Sequence, residues 1–470
     1  MISKLNYFNF KKFKDKYLIT NDLGNYLFLS QQEFEKLCGQ TYIEDKNLCD
    51  KLLKKYFVVD GNREIVINEA ANELRNHKNY LFEGTQLHIF VLTTNCNQSC
   101  IYCQASASTL KNSNKIMSRE VAQKAVDIAL QSFSKSLSFE FQGGEPLMNF
   151  EVLKYIVEYA KERNKTIKKE ISFNLVSNLI LADDEIIEFL ISNDINIATS
   201  LDGDEYVHDK NRPYRKGSSF KIIKEKINKI NNLYKEKNKK CRVQAIQTTT
   251  RFSLENWKEI IDTYVDLSMK NIFIRPLTPL GNSKEHWNKV GYTPEEFLDF
   301  YRKCCNYVKD LNNKGINIKE GHYSIFISKI LKNDYINYME LRSPCGGTIG
   351  QMAYNYDGNI YTCDEGRMLA ERGNESFKIG NVYKNDFNSL VNSKVCSTLC
   401  TASCIETLPA CSDCVYNPYC GVCPVYNYDK TGSLFDQMPG NYKCKIYKGI
   451  LDLIFEDIFY YDFCNKKPML

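Results

Sequence analysis

Between residues 87 and 277 the chain alternates short runs rich in β-branched and aromatic residues with longer stretches of helical periodicity. The runs are LHIFVLTT (87–94), LSFEFQ (137–142), ISFNLVS (171–177), INIATSL (195–201), RVQAIQTTT (242–250) and NIFIRPL (271–277). Between them lie the helical patterns SREVAQKAVDIALQSF (118–133, Ser118 as N-cap), NFEVLKYIVEYAKER (149–163), DDEIIEFLIS (183–192) and LENWKEIIDTYVDL (254–267). Strands joined by helical crossovers run parallel, so the segment predicts an α/β unit, most economically a partial (β/α)6 barrel. Ligands of such sheets bind at the carboxyl ends of the strands.

Just after the first strand comes TTNCNQSCIYCQ (93–104), which sets Cys96, Cys100 and Cys103 in a C-x3-C-x2-C run. Three clustered thiols suggest a metal site, yet a tetrahedral zinc or iron centre wants four ligands, and the next cysteine is Cys241. A structural zinc would need a His or Cys from elsewhere, and the chain has only five His. A four-iron cluster tolerates three protein ligands, leaving one iron for a small molecule such as an amino-acid chelate.

Eleven of the nineteen cysteines fall in the last 126 residues, from Cys345 onward. The N-terminus has no apolar core of signal-peptide length and no 18-residue apolar run occurs, so a cytoplasmic, membrane-free protein is expected. In that reducing setting clustered thiols bind metal more often than they pair. With 62 basic against 57 acidic residues, the net charge of +5 points to no nucleic-acid partner.

Residues 1–80 read as a small separate α+β, winged-helix-like module, with a hairpin turning at Asn21–Gly24 and helices over QQEFEKLC and NLCDKLLKKYFV. Residues 81–280 hold the barrel, 281–344 a polar helical bridge, and 345–470 a cysteine-rich segment that metal would have to hold together.

The three-cysteine run at the head of a parallel barrel resembles the radical AdoMet (S-adenosylmethionine) superfamily, and the resemblance continues along the chain. QGGEP (142–146) resembles that superfamily's glycine-rich turn against the methionyl amine, with Gly143 and Gly144 admitting the ligand and Glu145 accepting from its ammonium. Ser177 and Asn178 end the third strand, placed for the ribose. SLDGDEYVHDKNRPYRKGSSF (200–220) resembles the segment after the fourth strand, which brings in Ser200, Asp202 and Arg212, the arginine as partner of the AdoMet carboxylate. The resemblance implies reductive cleavage of AdoMet to methionine and a 5'-deoxyadenosyl radical, which takes a hydrogen atom from substrate.

The tail carries Cys345, Gly358, Cys363, Cys411, Cys414, Cys420, Cys423 and Cys444 in a pattern that resembles the SPASM extension of peptide-modifying enzymes, with two auxiliary 4Fe–4S clusters. A paired zinc ribbon fits less well, because Cys414 and Cys420 are separated by five residues where its halves usually sit ~15–20 apart. By that resemblance Cys411, Cys414, Cys420 and Cys444 hold an outer cluster. Cys345, Cys363 and Cys423 are left for an inner one, with Cys404 as candidate fourth ligand and Cys400 and Cys396 behind it. The run CGVC departs from the usual C-x3-C ending.

ASCIETLPACSDCVYNPYCGVCPVYNYDKTGSLF and the N-terminal FNFKKFKDKYLITNDLGNYLFLS resemble the His-Xaa-Ser system radical AdoMet maturases, the HxsB family. That implies a ribosomal precursor peptide as substrate and a one-electron donor such as flavodoxin or ferredoxin. The expected product is a carbon–carbon cyclophane joining a side-chain β-carbon to an aromatic ring, with Asp364 as candidate base and the N-terminal module as candidate leader-binding element. The competing expectations are a sulfatase-maturating type making formylglycine and a thioether-forming maturase. A non-catalytic iron–sulfur carrier or a zinc-dependent binding module would have no use for QGGEP and SLDG.

Overall fold

The computed structural model describes residues 4–59, 63–107, 113–334 and 338–464. Near the N-terminus, β1 (Lys4–Leu5) pairs with β5 (Val58–Val59), while β2 (Asn9–Phe13), β3 (Lys16–Thr20) and β4 (Tyr26–Leu29) form an antiparallel sheet. The predicted hairpin is β3–β4, and the two helices are Gln31–Cys38, with a Ser30–Glu33 capping box, and Lys46–Lys54.

This module has its own small core around Leu37, Tyr42 and Phe57, but it is not free-standing. Thr20 Oγ1 donates to Val415 O at 2.7 Å, Tyr419 Oη donates to Gly24 O at 2.9 Å, and Phe28 meets Phe455 and Phe459 edge-on. One face of its sheet is therefore buried on the C-terminal helix Tyr442–Cys464.

The second sheet has ten strands in the order β12-β11-β10-β9-β8-β7-β6-β13-β14-β15. Its central strands are the six that the alternating pattern predicts: β6 (Leu87–Thr93), β7 (Ser136–Gly143), β8 (Glu170–Ser177), β9 (Asn196–Ser200), β10 (Gln244–Thr248) and β11 (Asn271–Arg275), all parallel. Ser118 caps its helix by accepting from Val121 N at 3.2 Å, and Asp183 does the same for Ile186 N at 2.9 Å. The two-residue β12 (Lys319–Glu320) extends one edge.

The other edge is unexpected. The cysteine-rich tail supplies β13 (Gln351–Tyr354), which runs parallel to β6, then β14 (Asn359–Tyr361) and β15 (Lys378–Asn381). The tail thus continues the barrel sheet and is not held by thiols alone.

The bridge also differs from its polar reading. The helix Pro294–Asn313 buries Phe297, Phe300, Tyr301, Cys304, Val308 and Leu311, a stripe at helical spacing that packs into the main core. Among the described residues no helix is long and apolar enough to cross a membrane.

Candidate active site and thiol clusters

A cavity of about 1160 Å³ opens at the carboxyl ends of the parallel strands. Cys96, Cys100 and Cys103 stand on its wall, as do Gly143, Gly144, Glu145, Ser177, Asn178, Ser200, Arg212 and Asp364. Residues expected at the site from four strand ends and from the tail therefore meet around one space. Asp202 does not line it.

Backbone bonds fix the cysteine loop on three sides. Gly144 N donates to Thr93 O at 2.7 Å and Glu145 N to Asn95 O at 2.8 Å. A Cβ on Gly143 would lie 2.1 Å from Thr93 O, and one on Gly144 2.2 Å from Asn95 O. These glycines admit the loop's own backbone, a tighter reason for glycine than ligand approach. Ile101 N donates to Asn211 O at 3.0 Å, and Asn282 N to Cys103 O at 2.9 Å. Gly281, at φ +59°, lets the segment after β11 close on Cys103 and Gln104.

Glu145, expected to meet a ligand ammonium, also has protein partners. Its carboxylate accepts from Ser177 Oγ (2.7 Å), Leu147 N (3.0 Å) and Asn178 N (2.9 Å). Burial still pushes its carboxyl up to about 6 against these donors. It ties the glycine turn to the end of β8, and Asn178 in turn donates to Asn97 Oδ1 at 2.7 Å.

Arg212 is held from behind. Its Nε donates to Asp202 Oδ2 at 3.0 Å, its Nη2 to Tyr102 Oη, and its Nη1 reaches Cys100 Sγ at 3.7 Å. Tyr102 Oη also donates to Asp202 Oδ2 at 2.7 Å. Asp202, which the resemblance places on the cofactor, is the fully buried counter-ion of Arg212. Tyr102 escaped the sequence reading although it lies between two of the cysteines. His208, beside the Asp202–Arg212 pair, accepts from Asp202 N through Nδ1 at 3.3 Å, and burial lowers it to about 4.

Asp364 begins the helix Asp364–Ala370, and its Oδ1 takes both Arg367 Nε (3.1 Å) and Nη2 (2.5 Å). Arg367 is fully buried and lies within electrostatic reach of Cys103, so this pair links the tail to the barrel thiols. Glu140 of β7 faces Asp364 from across the cavity wall, and burial raises its carboxyl. Beyond them, Glu340 is kept well below the carboxylate range by Lys443 and Arg275 despite its burial. None of Glu140, Glu340, Arg275 and Lys443 carries a sequence motif; tertiary contact alone gathers them.

The tail thiols fall into two groups. Cys411, Cys414, Cys420 and Cys444 are mutual electrostatic neighbours. Cys345, Cys363 and Cys423 form another set, in an apolar pocket with Leu280, Leu369, Phe377, Leu399 and Val425. Cys404 is not among the residues packed in that pocket: its Sγ is 3.3 Å from Cys400 O and its charged neighbours include Glu406 and Lys78, while the adjacent Ser403 Oγ accepts from Cys345 N at 2.9 Å. Cys396 and Cys400, one turn apart on one helix, are free thiols within hydrogen-bonding reach of each other.

The residues fit a three-thiol cluster with a small-molecule ligand. Burial pushes the thiols of Cys96 and Cys100 up, the latter to about 12, so a cationic centre is what would hold them as thiolates. Beside them Asn97 Nδ2 and Gln98 Oε1 are buried without a protein partner. Among the described residues no three His, Cys, Asp or Glu close on a single-ion site, and the eighteen described cysteines are all free of disulfides.

An α/β sheet with three thiols at the end of its first parallel strand, facing a deep cavity, defines a cofactor-dependent enzyme. Residues 90–241 match the model of the Radical SAM superfamily. That segment carries the superfamily's domain, and the chain as a whole is similar to SPASM/twitch-type maturases. The radical SAM cyclopropyl synthase TigE of Paramaledivibacter caminithermalis is 23% identical over 457 residues, 91% of this chain and 87% of that one. A cysteine-type anaerobic sulfatase-maturating enzyme of Clostridium perfringens is 25% identical over 376 residues, 77% of this chain and 94% of its own. Among solved structures, anSMEcpe with bound AdoMet aligns at a TM-score of 0.67 and 20% identity, over 81% of this chain and all of that one. Streptococcus suis SuiB bound to its precursor peptide SuiA aligns at 0.54 and 14% identity, over 93% of this chain and 99% of that one.

Proposed function

We propose that the chain is a radical AdoMet maturase of a ribosomally made peptide, of the HxsB-like type, which joins a side-chain β-carbon to a nearby aromatic ring. The observation that carries the reading is the continuity of one cavity from Cys96, Cys100 and Cys103 to Asp364. A target side chain held there lies between the radical source and a candidate base. TigE, named a cyclopropyl synthase, and SuiB, solved with its precursor peptide SuiA, also match over more than nine-tenths of this chain.

Cys96, Cys100 and Cys103 would hold one cluster, and the AdoMet on it would supply a 5'-deoxyadenosyl radical that takes hydrogen from the β-carbon. Arg212, anchored by Asp202, offers a fixed cation at the cavity wall, and Glu145 keeps the glycine turn, Ser177 and Asn178 in register. Arg367 occupies Asp364 Oδ1, which leaves Oδ2 to accept the proton shed when the ring regains aromaticity. Each cross-link leaves the peptide two hydrogens lighter. The two tail thiol sets would hold auxiliary clusters able to take the one electron released with that proton, and a flavodoxin or ferredoxin would feed electrons singly to the AdoMet-binding cluster.

Co-expression with the short open reading frame beside this gene tests the reading. Mass spectrometry should find the peptide two hydrogens lighter per site, and fragmentation should place a bond between a β-carbon and a ring. An unmodified peptide would overturn it. A free aldehyde would instead establish the formylglycine reading, which the likeness to the C. perfringens enzyme favours. The anaerobically reconstituted protein should hold about 12 Fe and little Zn.

A further inference from the structure

The inner thiol set has three cysteines, Cys404 is not packed among them, and a four-iron cluster there has room for a fourth partner. Glu365 stands two residues after Cys363, in the first turn of the helix that Cys363 itself caps, its Sγ accepting from Gly366 N at 3.4 Å. It is the carboxylate within electrostatic reach of all three thiols, Cys345, Cys363 and Cys423. It also lines the main cavity, which none of those three cysteines does, so its side chain stands between the thiol pocket and the substrate space. Its carboxylate accepts from its own backbone N–H, whereas Arg367 engages that of Asp364 and Tyr447 that of Glu340.

The charged groups around Glu365 are Glu340, Asp364 and Lys443. Lys443 has Cys423, Glu340 and Glu365 as its neighbours, and they hold its ammonium charged although burial opposes it. Three thiolates with one carboxylate beside a buried ammonium form a complete ligand field for a four-iron cluster, since iron accepts oxygen as well as sulfur donors.

We propose that Glu365 is the fourth protein ligand of an inner auxiliary cluster held by Cys345, Cys363 and Cys423. The inference rests on the reading of the tail as a cluster-bearing segment. Ligation is a simple acid–base event: a carboxylate oxygen gives an electron pair to the fourth iron, and any proton it carries passes to solvent. A carboxylate is a poorer electron donor than a thiolate, so this cluster should be easier to reduce than one with four cysteines. Facing the cavity, Glu365 also closes the iron that a substrate thiol or amine would otherwise reach.

The test uses full-length, anaerobically reconstituted protein, with iron analysis and an EPR-monitored redox titration on wild type, Cys423→Ala, Glu365→Ala, Glu365→Gln and Glu365→Cys. Cys423→Ala should lose about four irons per chain. Glu365→Ala and Glu365→Gln should keep most of that iron but show a three-iron EPR signal after mild oxidation. Glu365→Cys should restore the full complement with a lower midpoint potential. If both Glu365→Ala and Glu365→Gln match wild type in iron content, spectrum and potential while Cys423→Ala loses a cluster, Glu365 is not a ligand. If Cys423→Ala retains all its iron, the inner cluster itself does not exist and both readings fail.

Discussion

Arg212 and Asp202 form a buried ion pair, Nε to Oδ2 at 3.0 Å, and the same guanidinium reaches Cys100 Sγ at 3.7 Å. Asp202 is wholly buried and Arg212 nearly so. Removing one member of such a pair strands a charge away from water, a loss of roughly 3–5 kcal/mol. Asp202→Ala should therefore lower unfolding stability by that amount, read from the denaturant midpoint, and it should also cut iron loading of the barrel site because Arg212 and Tyr102 lose their anchor. A midpoint within about 1 kcal/mol of wild type would show that solvent reaches the pair.

The segment after β11 meets the cysteine loop at Gly281, where a Cβ would fall 2.2 Å from Gln104 O and 2.9 Å from Cys103 O. Both obstacles are backbone, and φ is +59°, so a side chain is opposed by sterics and by dihedral preference together. Gly281→Ala should cost about 1–3 kcal/mol, on the scale of local backbone strain. Thermal unfolding measures the loss, and iron analysis should show a deficit of up to one cluster. Gly315→Ala, where nothing lies within 4 Å, serves as the comparison for φ alone.

Glu145 carries a pH signature. Its carboxyl sits at about 6 in the folded protein against an ordinary 4.5, raised by burial. Folding therefore favours the protonated form, so this group's contribution is complete below pH ~4.5 and is lost as pH rises through ~6. That gap corresponds to about 2 kcal/mol, with no discount for exposure because the side chain is buried. In paired denaturant titrations at pH 4.5 and 6.5, wild type should lose about 1.5 kcal/mol more than Glu145→Gln over the interval. Parallel behaviour of the two proteins would show that the carboxyl titrates near its ordinary value.

How much of this was legible in the residues depends on where each partner comes from. The six central strands and their caps follow from local pattern, since alternation, crossover length and Ser118 or Asp183 are all read within a few neighbours. The cysteine loop was equally plain. The edge strands β13–β15 were not, because runs of three or four residues acquire meaning only when Gln351–Tyr354 pairs with Leu87–Phe90. The protein partners of Glu145 and Asp202 were hidden for the same reason. Their motifs are contiguous, but their partners Ser177, Asn178 and Tyr102 arrive from other segments. Spacing could not say that Cys404, in the turn after the helix Lys394–Thr401, has Glu406 and Lys78 among its charged neighbours.

Asp364 offers the sharpest separation between radical generation and bond formation. Its Oδ1 is taken by Arg367, so the side chain is oriented without a catalytic demand on both oxygens. Asp364→Asn keeps an acceptor for Arg367 when the amide oxygen turns toward it, and it leaves an NH2 group facing the cavity that cannot take a proton. Release of 5'-deoxyadenosine from AdoMet should continue at a rate near wild type, because the barrel thiols and the residues around them are untouched. Mature peptide should fall by about 10²–10⁴-fold, the usual worth of a positioned general base. Both quantities are read from one reaction, by liquid chromatography for the nucleoside and mass spectrometry for the peptide. Cross-linking that keeps pace with 5'-deoxyadenosine in the variant would remove Asp364 from the base role and turn attention to Glu140, the buried carboxylate facing it.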